Sequence, residues 1–357
     1  MDENLSDWIY ALKTSFTVLA FIVTLFFICS YFLAQLLGLV LFYFTPEGSL
    51  FSLRPIDPPY LIIVLLLLPI VIPVSGNYGA LFLVIWGIFC LCLVSAFMTR
   101  ENFLKSLKGL LKKPLSSFLR NNILSMPLIT STLFVTSAFL ILLQESAGLP
   151  SGPGPSFPNP YEDLLWLSVA PVTEELGFRI IPLGLFLAIY ITRSANTASL
   201  KFKIKLFFLS FLHPDKAKET LGVRSIDDLG LLRGISPPEW FIVAATAFLF
   251  GYAHLYFGNG VWDIGKIAPT AIVGFTFALS YLYYGIQAPI LLHWFFNFYW
   301  QSFNLASGTY PMLSSLYETM EILTFIVGVI GMGLLLMIAL FQITKGKDVP
   351  LNEGKSF

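Results

Sequence analysis

The chain has 357 residues and no net charge, 21 Lys and Arg balancing 21 Asp and Glu; 56% of its residues are hydrophobic and only 12% charged. Soluble domains run nearer a quarter charged, so this composition, with a mean hydropathy of +0.79, excludes an ordinary soluble enzyme and describes a polytopic membrane protein. The charge balance gives no reason to expect nucleic acid, and Cys29, Cys90 and Cys92 sit in apolar runs without a CxxC pair, so they read as buried small hydrophobes with no disulfide framework.

Taken in chain order, MDENLSDWIYALK is acidic, unlike the start of a cleavable signal peptide. A spanning helix takes about 20 mostly apolar residues. On that scale spans fall near 14–44, 58–75, 79–98, 122–144, 163–192, 240–257, 266–284, 286–304 and 320–343. The expected fold is therefore an all-α transmembrane helical bundle of about nine spans, eight to ten. The first and fifth spans are long enough to tilt or protrude, and Pro69 and Pro73 soften the limits of the second.

Charge sets the sidedness. The stretch 99–121 carries Arg100, Lys105, Lys108, Lys112, Lys113 and Arg120 against Glu101 alone. The stretch 193–239 carries Lys201, Lys203, Lys205, Lys216 and Lys218, and Lys345 and Lys347 follow the last span, whereas 145–162 has Glu145 and Glu162 and no cation. Cationic loops stay in the cytoplasm, and alternation of nine spans then puts the N-terminus outside. Phe103, Leu107, Leu110 and Leu111 recur at helical spacing opposite lysines, as in an interfacial helix. LKFKIKLFFLSFLHP reads as a second interfacial helix, a lid near a cytoplasmic entrance or a plain charged tether, and its His213 is not expected to take part in chemistry. GLPSGPGPSFPNP is an extended external connection. The chain divides into N-terminal helices with the basic segment, 1–121, and a core, 122–357, with a cytoplasmic insertion at 193–239.

The chemistry lies in three apolar helices. An ionised group at bilayer depth is costly and marks a functional site by default, and Glu174, Glu175 and Arg179 stand in LSVAPVTEELGFRIIPLGLFLAIY. Glu175 and Arg179 are four apart and share a helix face, while Glu174 is turned about 100° from Glu175. One acid is thus free to face a cavity while the arginine holds the other. His254 shares a face with Phe250, and His293 with Asn297. A carboxylate with an imidazole orients and deprotonates water, and imidazole and amide N–H groups hold a developing oxyanion. These are the parts that amide hydrolysis by water requires.

EELGFR fits EExxxR, FGYAH fits FxxxH and HWFFN fits HxxxN, in that order. Over about 160–300 the chain resembles the CPBP family of intramembrane proteases, which includes type II CAAX prenyl endopeptidases and bacteriocin-processing or immunity proteins. The resemblance implies an endopeptidase acting on a membrane-anchored or lipidated peptide, a prenylated CAAX type included. It makes Glu174 the water-activating acid with His254, and Glu175 with Arg179 the completion of the first motif. His293 and Asn297 become the remaining wall, and Phe250 a packing aromatic. Ile180 stands where the family has Gly, and 193–239 lengthens the linker between the first two motifs.

Three other readings compete. Zinc would take His254, His293 and Glu174 with water in the fourth position, although no HExxH is present and the metal-free glutamate mechanism is preferred. A proton-coupled transporter would spread acids along a path, but these sit on one helix. A catalytically silent scaffold or immunity protein would keep the fold. The expected location is a cell membrane in a prokaryote or the endoplasmic reticulum in a eukaryote, with the site toward the cytoplasm.

Overall fold

The computed structural model describes the backbone of residues 3–110, 118–195, 199–258 and 260–345, and side chains within these from 14 to 337. Leu111, Lys112, Lys113 and Lys347, read above as parts of basic segments, lie outside the described residues. The chain opens with α1 (Glu3–Phe44), the short α2 (Pro46–Ser52), strands β1 (Tyr60–Leu65) and β2 (Leu68–Pro73), α3 (Tyr78–Met98), α4 (Phe103–Leu110) and α5 (Asn122–Ser146). Helix α6 (Pro160–Glu175) runs through a π turn (Leu176–Ile180) into α7 (Pro182–Ser194). The insertion folds as α8 (Leu200–Leu212), α9 (Pro214–Leu221), α10 (Ile226–Leu229) and α11 (Leu231–Gly234). Then come α12 (Pro237–Phe257), α13 (Ile267–Tyr284), α14 (Gln287–Trp294), a second π turn (Phe295–Tyr299), α15 (Trp300–Thr309) and α16 (Ser314–Lys345).

Among the described residues seven helical runs are long and apolar enough to cross a membrane, and the protein is an integral, multi-pass membrane protein. Six match the expected spans within three residues, and the last begins at Pro311 rather than near 320. The run 287–309 is helical where a span is expected and lies at the centre of the bundle, with every residue of α14 buried.

The expected second span, 58–75, is not a helix. It forms an antiparallel hairpin with Leu65 opposite Leu68 and Tyr60 opposite Pro73. The cause is local: Ile62, Ile63, Val64, Ile70, Val71 and Ile72 are β-branched and prefer a pleated backbone, and Pro69 and Pro73 would break a helix. Val74 donates to the Pro59 carbonyl at 3.0 Å, which fixes the alternation of the ladder. Residues 61, 63 and 65 bond inward to β2. Tyr60, Ile62 and Val64 turn their N–H and C=O away from it. On β2 the outward positions are Pro69, Val71 and Pro73, so the prolines withhold N–H groups from the open edge rather than from the ladder.

A hairpin returns to the side it came from, so the parity expected from nine crossings changes. The start of α1 and the described part of the segment 99–121 therefore fall at the same end of the bundle, not at opposite ends. The root of the hairpin sits beside the first half of α6, Pro58 and Tyr60 lining a groove with Trp166. Thr45 at the α1–α2 junction meets the start of α6, its Oγ1 2.8 Å from Tyr161 Oη.

One core joins the N-terminal helices to the rest. Tyr31 of α1 meets Trp294, Phe295 and Tyr299 edge-on at centroid distances of 5.8, 6.0 and 5.5 Å. Below it, Arg100 ties the insertion to the bundle: it pairs with Asp215 and Glu219, donates through Nε to the Tyr283 carbonyl at 2.8 Å, and stacks on the Tyr283 ring at 4.4 Å. Lys218 pairs with the buried Glu239 at the start of α12 at 2.8 Å. Of the expected interfacial helix at 99–121, Phe103, Leu107 and Leu110 pack on the main core while Leu104 is exposed.

Candidate active site

The first motif sits where the helix ladder is broken. Pro182 has no N–H to donate, and Ile181 donates to the Leu176 carbonyl at 3.0 Å, a π-type bond five residues back. The Gly177 carbonyl is left without a helical donor. The hairpin tip supplies one: Leu66 N–H reaches Gly177 O at 3.2 Å. Leu66 is the first central residue of the two-residue hairpin turn, the position that takes a positive φ, here 58°. Only glycine fits at 177, since a Cβ there would lie 2.0 Å from the Val64 carbonyl oxygen.

The π turn carries Arg179 to the bundle interior. Glu175 and Arg179 are both fully buried, and Arg179 Nη1 donates to Glu175 Oε1 at 3.0 Å. The same oxygen accepts from His293 Nδ1 at 2.9 Å. One carboxylate therefore holds the guanidinium and fixes the imidazole tautomer, with the proton on Nδ1 and a lone pair on Nε2. The guanidinium carbon stands 3.9 Å from the centroid of Phe250, with Phe277 and Phe178 rings at 5.7 and 5.9 Å. Such desolvated cation–π contacts contribute roughly 2 kcal/mol. Gly274 makes room for them: a Cβ there would lie 2.3 Å from Arg179 Nη2.

His293 Nε2 faces Glu174 Oε2 at 3.8 Å, and the Glu174 side chain keeps 33% of its surface exposed. That Oε2 has no hydrogen-bond partner, although a buried carboxylate oxygen ordinarily finds one. Asn297, placed by the second π turn, donates through Nδ2 to His293 Nε2 at 3.4 Å. His254 donates from Nδ1 to the Phe250 carbonyl at 2.9 Å, so its Nε2 is also a lone pair. The Phe250 ring stands against both imidazoles, 4.9 Å from His254 and 6.0 Å from His293.

Glu174, Glu175, Arg179, Phe250, His293 and Asn297 thus meet around one buried polar centre, and His254 joins it across Phe250. His213 does not: its Nδ1 bonds the Tyr284 carbonyl at 3.0 Å at the α8–α9 junction. Ile180, where family sequences have Gly, is buried in the main core. The zinc reading fits only in part. The tautomers suit a metal, each Nδ1–H engaged by a carboxylate or carbonyl and each Nε2 a lone pair, although that of His293 already accepts from Asn297. Yet among the described residues no three His, Cys, Asp or Glu side chains come together as a metal-binding group. Glu174, His254 and His293 form no cage in this arrangement.

The sequence reading missed three parts of the site. The hairpin reads in sequence as a span. Gly274 gives no sign in sequence of the guanidinium it admits. Trp262, 6.3 Å from the His254 ring, and Lys266, whose Nζ lies 3.9 Å from the Trp262 ring centre, lie in the α12–α13 connection, where a lone lysine beside a span reads as an ordinary anchor.

Comparison with curated proteins and with solved structures finds no match. A family model does match, over residues 160–299, and its description is Type II CAAX prenyl endopeptidase Rce1-like. That stretch contains all three motifs, both π turns and the Glu175 clamp: the membrane core of this chain matches the Rce1-like type II CAAX prenyl endopeptidase family, a family of proteases.

Proposed function

We propose that the protein is an intramembrane endopeptidase that cleaves a membrane-associated, lipidated peptide of the prenylated CAAX type with water activated by Glu174. The observation that carries the reading is the division of labour between adjacent carboxylates. Glu175, fully buried, is spent through Oε1 on both Arg179 and His293, while Glu174 is one-third exposed and faces His293 Nε2 with an oxygen that makes no hydrogen bond. The second oxygen of Glu175 is also unpaired but is closed off from solvent.

A water between Glu174 Oε2 and the Nε2 atoms of His293 and His254 has acceptors for both its protons. Glu174 takes one proton as the oxygen attacks the scissile carbonyl, and returns it to the departing amine. The Asn297 amide is the donor for the oxyanion, which in a dry site is worth far more than in water. Glu175 acts through His293: it holds the tautomer whose lone pair faces the water.

Helix lengths support a site in the cytoplasmic half. From Pro160 to Glu174 is about 21 Å and from Gln287 to His293 about 9 Å at 1.5 Å per residue. The sum is near the hydrocarbon thickness of ~30 Å, with α14 starting at the basic end of the bundle. The zinc alternative keeps the same residues and is separated by chelation. The test is cleavage of an internally quenched lipopeptide by the purified chain, with Glu174→Ala and His254→Ala beside it. Cleavage that survives both substitutions defeats the mechanism. Ion flux lost in Glu174→Gln without any proteolysis would favour the transporter.

A further inference from the structure

The hairpin leaves an open groove beside the candidate nucleophile-activating acid. Its lining is Pro58, Tyr60, Leu61 and Ile62 on one wall and Trp166, Val169, Ala170 and Thr173 of α6 on the other, around a volume of about 360 Å³. Pockets for small ligands run roughly 300–1,000 Å³. Trp166, Ala170 and Thr173 follow one another along a single face of α6, and Glu174 stands one turn beyond Ala170. The groove therefore leads to the exposed side of Glu174.

The β1 wall has a second property. The outward-turned groups of β1 point away from β2, toward α6 and the π turn. At the tip that edge is closed: Leu66 N–H binds Gly177 O, and the Val64 carbonyl abuts Gly177. Further up, the Ile62 N–H and C=O and the Tyr60 C=O have no partner among the described residues. Unsatisfied backbone groups at bilayer depth carry a penalty of several kcal/mol, and open strand edges are not tolerated against lipid. On β2, Pro69 and Pro73 remove two of the three outward N–H groups and leave that of Val71. On β1 the outward N–H of Ile62 faces the groove.

We propose that this edge is the substrate-binding site: an extended polypeptide segment next to the scissile bond lies between β1 and α6 as a third strand, pairing with the backbone of Ile62 and leading its cleavage point to Glu174. The inference rests on the protease reading above. Strand addition recognises main chain and selects side chains only at alternate positions. It also holds the segment unwound, the state in which its carbonyls are open to attack. A bound isoprenoid would fill the apolar space but leave the Ile62 groups unpaired, so a peptide is the better match.

The test uses Glu174→Gln chains in detergent and a fluorescent lipopeptide long enough to fill the groove, read by anisotropy. Ile62→Pro deletes one outward N–H without touching the ladder, as Pro69 and Pro73 already do across the hairpin. It is expected to weaken binding about tenfold, the range of one or two hydrogen bonds. Val71→Pro, the matched change on the far edge of β2, is expected to bind as the parent does. A photoreactive residue walked along the peptide should label the otherwise unaltered chain at every second position. Equal affinity of the Ile62→Pro and Val71→Pro chains overturns the proposal, as does labelling with a helical period or competition by a free isoprenoid alcohol alone. Cleavage by wild type with Ile62-independent binding would remove the groove and leave the protease. Ile62-dependent binding without any wild-type cleavage would do the reverse.

Discussion

Replacing Glu175 by Gln separates what the clamp does for stability from what it does for chemistry. The substitution keeps the shape and one acceptor oxygen but removes the charge facing Arg179, at a pair 3.0 Å apart with both side chains at 0% exposure. An uncompensated buried charge costs about 3–5 kcal/mol. The Phe250 ring, 3.9 Å away, offsets roughly 2 kcal/mol of that, leaving a loss of about 1–3 kcal/mol. At roughly 2–4 °C per kcal/mol, thermal unfolding in detergent should shift down by about 2–12 °C. Turnover of a quenched lipopeptide should fall further than stability explains, because His293 Nδ1 loses the charged acceptor at 2.9 Å that holds its tautomer. The double change Glu175→Gln with Arg179→Met then decides the matter. Removing the whole buried pair for an apolar side chain is often neutral, so the unfolding temperature should recover while turnover stays at least about tenfold down. Recovery of full turnover in the double variant would refute the orienting role and make Glu175 only a counter-charge.

Glu174→Gln is expected to leave the unfolding temperature within about a degree or two, since the carboxylate is 33% exposed and its Oε2 makes no hydrogen bond. Its turnover should drop by about 10²–10⁴, the usual worth of a general base, and a residual rate above a tenth of wild type would place the base elsewhere. Dialysis against a strong chelator should leave cleavage intact; loss restored by one zinc per chain would instead establish Glu174, His254 and His293 as ligands. At the α8–α9 junction, burial holds the His213 imidazole below its ordinary value, against the pull of the Tyr284 carbonyl and with Lys216 and Arg100 adding to the depression. The packed form refuses a proton that an opened form accepts below about pH 6.5. Stability of this junction should therefore be full above that pH and fall on acidification. Amide exchange of residues 209–217 at pH 7.5 and 5.5, corrected for intrinsic rates, should show the loss, and His213→Asn should flatten it.

Long apolar runs and their charge flanks settled in one dimension that the chain is a membrane bundle, because lipid admits few alternatives to the helix and charge is costly to translocate. The motif spacings located the chemistry for a similar reason: at bilayer depth each ionisable residue needs a partner, so EELGFR, FGYAH and HWFFN declare themselves. Hydropathy failed at 58–75 because it sums apolarity without regard to backbone preference, and a strand pair of β-branched residues is as oily as a helix. Packing alone decided which glutamate is held and which is free. Glu175 and Glu174 are neighbours of one type, and the difference between them is a rotation on α6 that points one at Arg179 and His293 Nδ1 and leaves the other one-third exposed, its Oε2 unpaired across from His293 Nε2. Nor does the local sequence disclose that the Gly177 carbonyl, orphaned by Pro182, is capped by Leu66 from a segment more than a hundred residues earlier. Such contacts join residues remote in the chain, and only the folded bundle brings them within hydrogen-bonding reach.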